Sequence, residues 1–184
     1  MIFRGTTVAG AWVIDRHRLA DQREFFARIW GGERFAERGG LSLRLAQWGI
    51  AHAKRRGTLR GLRYQLAPHE ESKLVRCFAG AIYDAVMDLR PASPSFRGWC
   101  AVELSAENRL ALYVSQGCAR GYLALADDSE VLYRIAGTRQ PDAARGVRSN
   151  GAAFGIRWSE PVLVMDGRDR ALTDLALPVA VCAS

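Results

Sequence analysis

The feature that most constrains the fold of this chain is a series of short apolar or alternating runs between residues 73 and 138. Each run is bounded by Gly, Pro, Asn, Asp or Ser, which end strands and form turns. The runs are KLVRCFAGAIYDAVMDL, GWCAVELS, LALYVSQG, YLALAD and EVLYRIAGT. Strands spaced this closely, without helices between them, favour an antiparallel sandwich or barrel. We therefore predict an all-β fold of jelly-roll type, built as one domain over residues 1–184.

One segment near the N-terminus has a different periodicity. Residues 19–40, LADQREFFARIWGGERFAERGG, carry apolar residues at helix-like intervals and end on Gly39-Gly40. This pattern predicts a short N-terminal helical segment, with Gly31-Gly32 as a point where it could be broken.

The chain is basic, with a formal net charge of +7 and a pI near 9.7, and arginine supplies nearly all of its basic residues. Such a charge fits a nucleic acid, a membrane surface or a phosphorylated small ligand, and arginine's planar fork suits phosphate. A GC-rich coding sequence would give the same arginine bias. Because no arginine–aromatic module such as an RNA-recognition signature is present, we do not expect a nucleic-acid partner.

The same sequence gives no indication of a membrane or of an oxidising compartment. No apolar run reaches the roughly 18 residues of a membrane helix, and the N-terminus lacks the basic and apolar regions of a signal peptide. We expect a cytoplasmic protein. The cysteines form no CxxC pair, so buried core positions are expected for them rather than a zinc or redox site. They are Cys77, Cys100, Cys118 and Cys182.

The stretch GTLRGLRYQ, residues 57–65, contains two arginines in a strand-like run. A half-buried strand seldom carries permanent cations, so Arg60 and Arg63 are candidates for ligand contact. Strict alternation would place the two on opposite faces of the strand. Gly61 between them is a candidate for a bulge that brings both to one face.

Six sequence segments, taken together, identify a family. They are GTLRGLRYQ, KLVRCFAGAIYDAVMDLRPASPSFRGW, VELSAENRLALYVSQGCARGYLAL, EVLYRIAG, ARGVRSN with the nearby FGIRW, and DGRDRALTDL. From about residue 8 to residue 175 the chain closely resembles the dTDP-4-dehydrorhamnose 3,5-epimerase family, the RmlC-type cupins of deoxysugar synthesis. The resemblance implies a cupin-type jelly-roll barrel, a homodimer and an interior pocket for a nucleotide-linked sugar, in particular a dTDP-sugar. It implies no metal or other cofactor, and His17, His52 and His69 lack the spacing of metal ligands.

The family's reaction removes protons from carbons beside a ketone and returns them on the other face of the sugar. It needs a base, an enolate-stabilising donor and an acid. The resemblance implies that Lys73 is the lysine near the oxyanion, Tyr133 the acid and Asp169 the aspartate that orients the base. Ligand-binding positions are matched by Arg23, Phe26, Gln47, Arg60 and Gln65, with Arg23 at a phosphate-binding arginine.

The chain departs from the family at the base itself. Where the family has GLHYQ, this chain has GLRYQ, so Arg63 occupies the position of the catalytic histidine. Where the family has FAHGF, this chain has CARGY, so Arg120 occupies the position of a second active-site histidine. Smaller departures place Gly49 and Ala51 at an asparagine and a serine. Others are Glu24 for a glycine, Arg28 for a glutamate and Thr138 for a pocket tyrosine.

An arginine cannot act as the base, because its side chain stays protonated up to a pH above about 12. We predict instead that Arg63 forms an ion pair with Asp169, and that Asp169→Asn damages folding by stranding a buried cation. His69, in a loop next to Pro68, is a candidate replacement base, although an exposed loop histidine is the simpler interpretation.

Simpler interpretations exist for the other site residues. Tyr133 could be a core residue, Lys73 a solvated surface lysine, Asp169 a turn carboxylate and Arg120 an exposed arginine in a Gly-flanked turn.

Two functions stay open at this stage. The first is an epimerase acting on a nucleotide-linked 4-keto-6-deoxy sugar, with activity altered or lost through Arg63. The second is a non-catalytic protein that binds a nucleotide sugar or a more highly charged anion, with Arg23, Arg60, Arg63 and Arg120 around it. A basic surface for nucleic acid is a third and weaker alternative.

Overall fold

A computed structural model describes residues 1–15, 19–21, 24–26, 31–37, 45–151 and 154–175. The first of its two large sheets has six antiparallel strands, in the order β1-β2-β10-β7-β12-β5. In chain order these are β1 (Ile2–Gly5), β2 (Trp12–Asp15), β5 (Leu45–Ala53), β7 (Ser72–Ala79), β10 (Ala111–Val114) and β12 (Ser129–Ala136).

The second large sheet has the strand order β13-β6-β11-β8-β9, and β14 pairs with β6 in parallel. Its strands are β6 (Thr58–Gln65), β8 (Ala81–Asp88), β9 (Trp99–Ser105), β11 (Cys118–Ala124), β13 (Ala144–Gly146) and β14 (Val164–Met165). Five of the predicted runs coincide with β7 to β12, because apolar alternation and flanking turn residues mark these strands clearly. The predicted all-β jelly-roll barrel is therefore confirmed.

The predicted N-terminal helix is wrong over its first part. Leu19–Asp21 (β3) and Glu24–Phe26 (β4) form a small antiparallel hairpin, and α1 covers only Gly32–Glu37. The aromatic pair Phe25-Phe26 has high strand propensity, and the following glycines disfavour a continuous helix, so local preference and apolar spacing conflict here. The helix begins at Gly32, within the glycine pair suggested as the break, and Gly39-Gly40 lie outside the described residues.

The main core lies between the two large sheets. It combines Val75, Leu112 and Val131 of the first sheet with Ile82 and Leu104 of the second, all fully buried. Because side chains alternate along a strand, every second residue of these strands faces the space between the sheets, which we call the interior.

Smaller clusters cover the outer faces. Phe35 of α1 packs against Phe3 and Tyr113 on the outside of the first sheet, with ring centroids 5.2 and 6.1 Å apart. Leu62 and Met87 on the outside of the second sheet are covered by Phe154, Ile156 and Leu175 of the C-terminal part.

Two of the four cysteines confirm the expectation of core positions. Cys77 and Cys118 are buried free thiols, and Cys100 is a partly buried free thiol, while Cys182 lies outside the described residues. Within the described part of the chain, no helix is long and apolar enough to cross a membrane.

Candidate active site

Both arginines of GTLRGLRYQ face the interior. In the pairing of β6 with β11, Arg60 lies opposite Tyr122 and Arg63 lies opposite Arg120, with a register shift between the two pairs. Residues directly opposite in a sheet share a face, so the shift turns two arginines three positions apart to the same side. Gly61, with φ of 111°, lies at this shift, so the predicted bulge is confirmed.

The bulge depends on close backbone approach between the two strands. A Cβ on Gly61 would lie 2.7 Å from the Gly121 Cα and 2.8 Å from the Arg120 carbonyl oxygen. No side chain fits there, and the positive φ is one that residues with a side chain rarely adopt. Glycine at position 61 is thus what allows Arg60 and Arg63 to share the interior.

Arg63 forms the predicted ion pair with Asp169 of α2 (Gly167–Arg170). Asp166 caps this short helix by accepting a hydrogen bond from the Arg168 N–H at 2.8 Å. The Asp169 Oδ1 accepts from the Arg63 Nε at 2.9 Å and from its Nη2, and Oδ2 accepts from the Gly61 N–H at 3.0 Å.

The burial of this pair differs from the expectation. The Arg63 side chain is 45% exposed, whereas that of Asp169 is only 10% exposed. The buried charge of this pair is therefore the carboxylate. The expectation that Asp169→Asn leaves a buried cation without a counter-ion is wrong, because the Arg63 side chain is partly solvated.

Arg120 lies inside the barrel rather than in an exposed turn. It belongs to β11, where it alternates with the core residues Cys118 and Tyr122. Its Nε and Nη2 each donate to one oxygen of Asp84 on β8, at 2.7 Å, and the two side chains are 5% and 0% exposed. Burial opposes the charge of Arg120, but the neighbouring Asp84 carboxylate raises its pKa above the usual value.

Two tyrosines flank this guanidinium. Its Cζ lies 4.8 Å from the ring centroid of Tyr133 and 5.3 Å from that of Tyr122, distances that allow cation–π attraction. Burial, reinforced by the nearby Tyr133, raises the pKa of Tyr122. Tyr133 itself is only partly buried against the core, which leaves it open to a ligand.

Lys73 lies in the interior because it alternates with Val75 and Cys77 of the core. Its Nζ is 2.8 Å from the Glu71 Oε1, and the side chains are 11% and 12% exposed. The Glu71 Oε2 accepts from the Gln65 Nε2 at 3.1 Å. Glu71 thus joins a strand of the first sheet to a strand of the second at one end of the barrel.

The amide of Gln65 is largely occupied by the protein. Its Nε2 also donates to the His69 carbonyl at 2.8 Å, and its Oε1 accepts from the Gln140 N–H at 2.7 Å. Gln47 on β5 donates to the Gly137 carbonyl at 3.0 Å. Both predicted ligand residues therefore hold loops at this end of the barrel.

Arg60 has no carboxylate within 4 Å among the described residues. Its Nη2 donates to the His52 carbonyl at 2.8 Å, and the residue is exposed. Arg60 is thus the interior arginine best placed to receive an anion from outside. Arg23 lies outside the described residues, and of Phe26 only the backbone, at the end of β4, is described.

The interior beside Tyr133 contains space that no described residue fills. Gly49 lies opposite Tyr133 in the pairing of β5 with β12, and a Cβ on Gly49 would meet no atom of the described residues within 4 Å. A separate cavity of about 400 Å³ lies beside α2 and shares only Asp169 with the predicted site.

The two described histidines do not supply a replacement base for residue 63. His69 is exposed in its loop, and His52 faces outwards, with its Nε2 3.1 Å from the Asp128 Oδ1. His17 lies outside the described residues. Among the residues that are described, no group of three or more His, Cys, Asp or Glu side chains could hold a metal ion.

Sequence reasoning missed three of the side chains that make up this site. They are Asp84, Tyr122 and Glu71. A carboxylate in the otherwise apolar run AIYDAVMD was the available signal for Asp84, since an unpaired charge is hardly ever buried in a strand. Glu71 gives no such signal, because it lies in the polar segment HEES.

Known proteins resemble this chain along almost its whole length. The family model described as dTDP-4-dehydrorhamnose 3,5-epimerase matches residues 5–176. A dTDP-4-dehydrorhamnose 3,5-epimerase of Mycolicibacterium smegmatis is 35% identical over 177 residues, which are 96% of this chain and 87% of that protein.

Solved structures of epimerases also resemble this chain. A dTDP-4-dehydrorhamnose 3,5-epimerase from Elizabethkingia anophelis superposes with a TM-score of 0.92 at 28% identity, covering 95% of this chain and 96% of that one. A 3'-monoepimerase from Streptomyces bikiniensis, solved in complex with dTDP-quinovose, gives a TM-score of 0.82 at 31% identity, with coverage of 92% and 85%. The chain therefore belongs to the dTDP-4-dehydrorhamnose 3,5-epimerase family.

Proposed function

We propose that this protein epimerises a dTDP-linked 4-keto-6-deoxy sugar, with a proton acceptor other than residue 63. The observation that carries the proposal is the joint presence of Lys73 and Tyr133 in the interior, with free space beside Tyr133 at Gly49. Family membership and a related structure containing a dTDP-sugar support the substrate class.

Each retained side chain has a chemical task in this proposal. The Lys73 ammonium stabilises the negative oxygen of the enolate that forms when a proton leaves the carbon beside the ketone. The Tyr133 hydroxyl returns a proton to the other face of the sugar. Arg60 contacts the diphosphate, because it is exposed and has no carboxylate partner within the described part of the chain.

Arg63 serves binding and structure rather than proton transfer. Its guanidinium stays charged at all relevant pH values, and two of its nitrogens are directed at Asp169. The Asp169 carboxylate that would orient an imidazole is therefore engaged by a cation. Replacing the usual base in this way alters the activity relative to a family member with histidine.

The alternative is a non-catalytic protein that binds a more highly charged anion. The ion pairs in the interior argue against it. Arg63, Arg120 and Lys73 are matched by Asp169, Asp84 and Glu71. Of these three cations and Arg60, Arg60 alone has no carboxylate partner among the described residues. A pocket with this balance suits the family's diphosphate better than a ligand with additional carboxylates.

We also propose that the protein forms a homodimer through the outer face of the first sheet near β5. Trp48 and Ile50 on this edge strand are 56% and 70% exposed, and Phe78 is 42% exposed. The Arg134 guanidinium covers the Trp48 ring at 4.1 Å, so this face joins aromatic and cationic groups as interfaces often do. A second copy would cover the apolar patch and the edge of β5, which is the last strand of its sheet among the described residues.

The dimer has a direct test. In Trp48→Glu/Ile50→Lys, the apolar contact becomes charged, and sedimentation velocity should show monomer where the unmodified protein shows dimer. A monomeric unmodified protein, or a dimer that persists in the double variant, would contradict this assignment of the surface.

Epimerase activity is tested by solvent exchange. The protein is incubated with dTDP-4-keto-6-deoxyglucose in D2O, and deuterium at C3 and C5 is followed by NMR. We expect exchange in the unmodified protein and its loss, by a factor of about 100 or more, in Tyr133→Phe and Lys73→Met. Nucleotide-sugar binding without any exchange would favour the non-catalytic alternative.

A further inference from the structure

Among the described residues, three carboxylates that contact interior cations could take a proton in place of an imidazole, and two of them are poorly suited. Asp84 has no exposed surface, and both of its oxygens are held by Arg120. A ligand entering from solvent cannot reach a fully enclosed group. Protonating Asp84 would also leave the buried guanidinium of Arg120 without a counter-ion.

Asp169 is unsuitable for a related reason. Its Oδ1 accepts two hydrogen bonds from Arg63, and its Oδ2 accepts the Gly61 N–H. The two bonds from Arg63 fill Oδ1, and Oδ2 is held by the backbone of β6, so protein donors already occupy both oxygens of this carboxylate.

Glu71 differs from both in its cation partner. Among the described residues, Oε1 is contacted by the Lys73 Nζ at 2.8 Å, and Oε2 accepts a hydrogen bond from the Gln65 Nε2 at 3.1 Å. Each oxygen can accept a further bond. The Glu71 side chain is 12% exposed, so it is mostly buried but still accessible to a ligand. Its partner is a lysine on a flexible stem rather than a fixed guanidinium fork, so the partner can move during a reaction.

Lys73 is also the residue assigned to the enolate oxygen. A carboxylate within 2.8 Å of that ammonium lies near the ketone and the carbons that flank it. The positive charge of Lys73 also attracts the Asp84 carboxylate. The interior charges therefore alternate in sign from Glu71 through Lys73 and Asp84 to Arg120. Glu71 is the carboxylate at the end of this series.

We propose that Glu71 is the catalytic base, and this inference rests on the proposed epimerase function. A Glu71 oxygen takes the proton from the carbon beside the ketone. The C–H electron pair forms a carbon–carbon double bond, and the carbonyl electron pair moves onto oxygen. Neutral Glu71 then attracts Lys73 less strongly, so the ammonium turns to the new oxyanion. Tyr133 returns a proton to carbon on the other face of the sugar, and the oxyanion electrons re-form the carbonyl. Proton exchange with solvent then restores the Glu71 carboxylate and the Tyr133 hydroxyl, so the isomerisation needs no oxidant or reductant.

The test compares Glu71→Gln with Glu70→Gln, a control at the adjacent glutamate. The backbone carbonyl of Glu70 accepts a hydrogen bond from Gln116, and its side chain has no task in the proposal. The substrate is dTDP-4-keto-6-deoxyglucose in D2O, with Tm and the Kd for dTDP measured in parallel. We expect Glu71→Gln to lower the exchange rate by about 100-fold or more while Kd stays within about threefold, and Glu70→Gln to match the unmodified protein.

Chemical rescue separates a base from a structural residue. In Glu71→Ala, added formate should restore part of the exchange rate, because a small carboxylate can occupy the vacated space and accept the proton. A residue that only held Gln65 and Lys73 in place would not be replaced in this way.

The possible outcomes test the role of Glu71 separately from the proposed epimerase activity. Exchange in the unmodified protein that survives in Glu71→Gln at a similar rate would overturn the role of Glu71 and leave the epimerase proposal intact. An unmodified protein that binds the sugar nucleotide without exchange would overturn both. Loss of exchange in Glu71→Gln without formate rescue in Glu71→Ala would also count against Glu71 as the base.

Discussion

Asp84 of β8 and Arg120 of β11 form a bidentate ion pair that is almost completely enclosed by the barrel. Their side chains are 0% and 5% exposed, and both N–O distances are 2.7 Å. The sequence places Arg120 at the position of a second active-site histidine, yet its Nε and Nη2 are already engaged by Asp84. Its Cζ lies 4.8 Å from the ring centroid of Tyr133.

Removing either partner of this pair should be costly. We expect Asp84→Asn to lower the free energy of unfolding by about 3–5 kcal/mol, because it leaves the buried guanidinium without a counter-ion. The double variant Asp84→Leu/Arg120→Met should lose less than the sum of the single changes, since it leaves no buried charge. Urea unfolding of the two single variants and the double variant forms a double-mutant cycle, and additive losses would show that the pair is not coupled.

Breaking the ion pair between Arg63 and Asp169 should lower the free energy of unfolding by less. Arg63 is 45% exposed, so water can solvate its charge when Asp169 is changed. We expect Asp169→Asn to lower the free energy of unfolding by about 1–2 kcal/mol, clearly less than Asp84→Asn. The measurement is urea unfolding of both variants under the same conditions. An equal or larger loss for Asp169→Asn would mean that Arg63 is less hydrated than its exposure indicates.

Gly61 should tolerate no side chain. In Gly61→Ala the new Cβ would lie 2.7 Å from the Gly121 Cα on a backbone with φ of 111°. We expect a loss of more than about 2 kcal/mol in the free energy of unfolding. Gly167→Ala is the matched control, because a Cβ at position 167 meets no atom within 4 Å. Thermal unfolding of the two variants makes the comparison, and equal Tm values would argue against the close strand approach at Gly61.

Asp88 should make the protein sensitive to acid. Burial disfavours its charge, but hydrogen bonds from Arg90, Ser93 and Ser95 outweigh burial and hold its pKa below the usual range. A lowered folded-state pKa stabilises the protein above the unfolded-state value of about 4, and that contribution disappears as pH falls through the folded-state pKa. Stability should therefore decline below about pH 4.

Asp88→Asn supplies the control for this pH dependence. The variant should be less stable than the unmodified protein at pH 7. The difference should shrink below about pH 4, because the Asp88 carboxyl then takes up a proton in the unfolded state and the advantage of the charged folded form decreases. Urea unfolding at pH 7, 4 and 2 measures it. A difference that stays constant with pH would show that ionisation of Asp88 does not contribute.

Several parts of the structure follow from local sequence. The strands from β7 to β12 are marked by apolar alternation and turn residues, and a single glycine between two arginines indicated the bulge in β6. The helix predicted over residues 19–26 is wrong, because the apolar spacing of this segment fits a helix while its aromatic residues favour strands. Tertiary context decides between the two structures in such cases. β5 was not predicted, since QWGIA has no clear alternation.

The sequence by itself determined the family and the all-β barrel, because these depend on residue identity and local order. Only the tertiary structure decided which charges meet. Asp84 and Arg120 are 36 positions apart, and Arg63 and Asp169 are 106 apart. Their contacts depend on strand register and on the position of α2, which no local pattern encodes. Glu71 lies only two residues from Lys73, yet its importance appears only when the folded barrel brings Gln65 to its other oxygen.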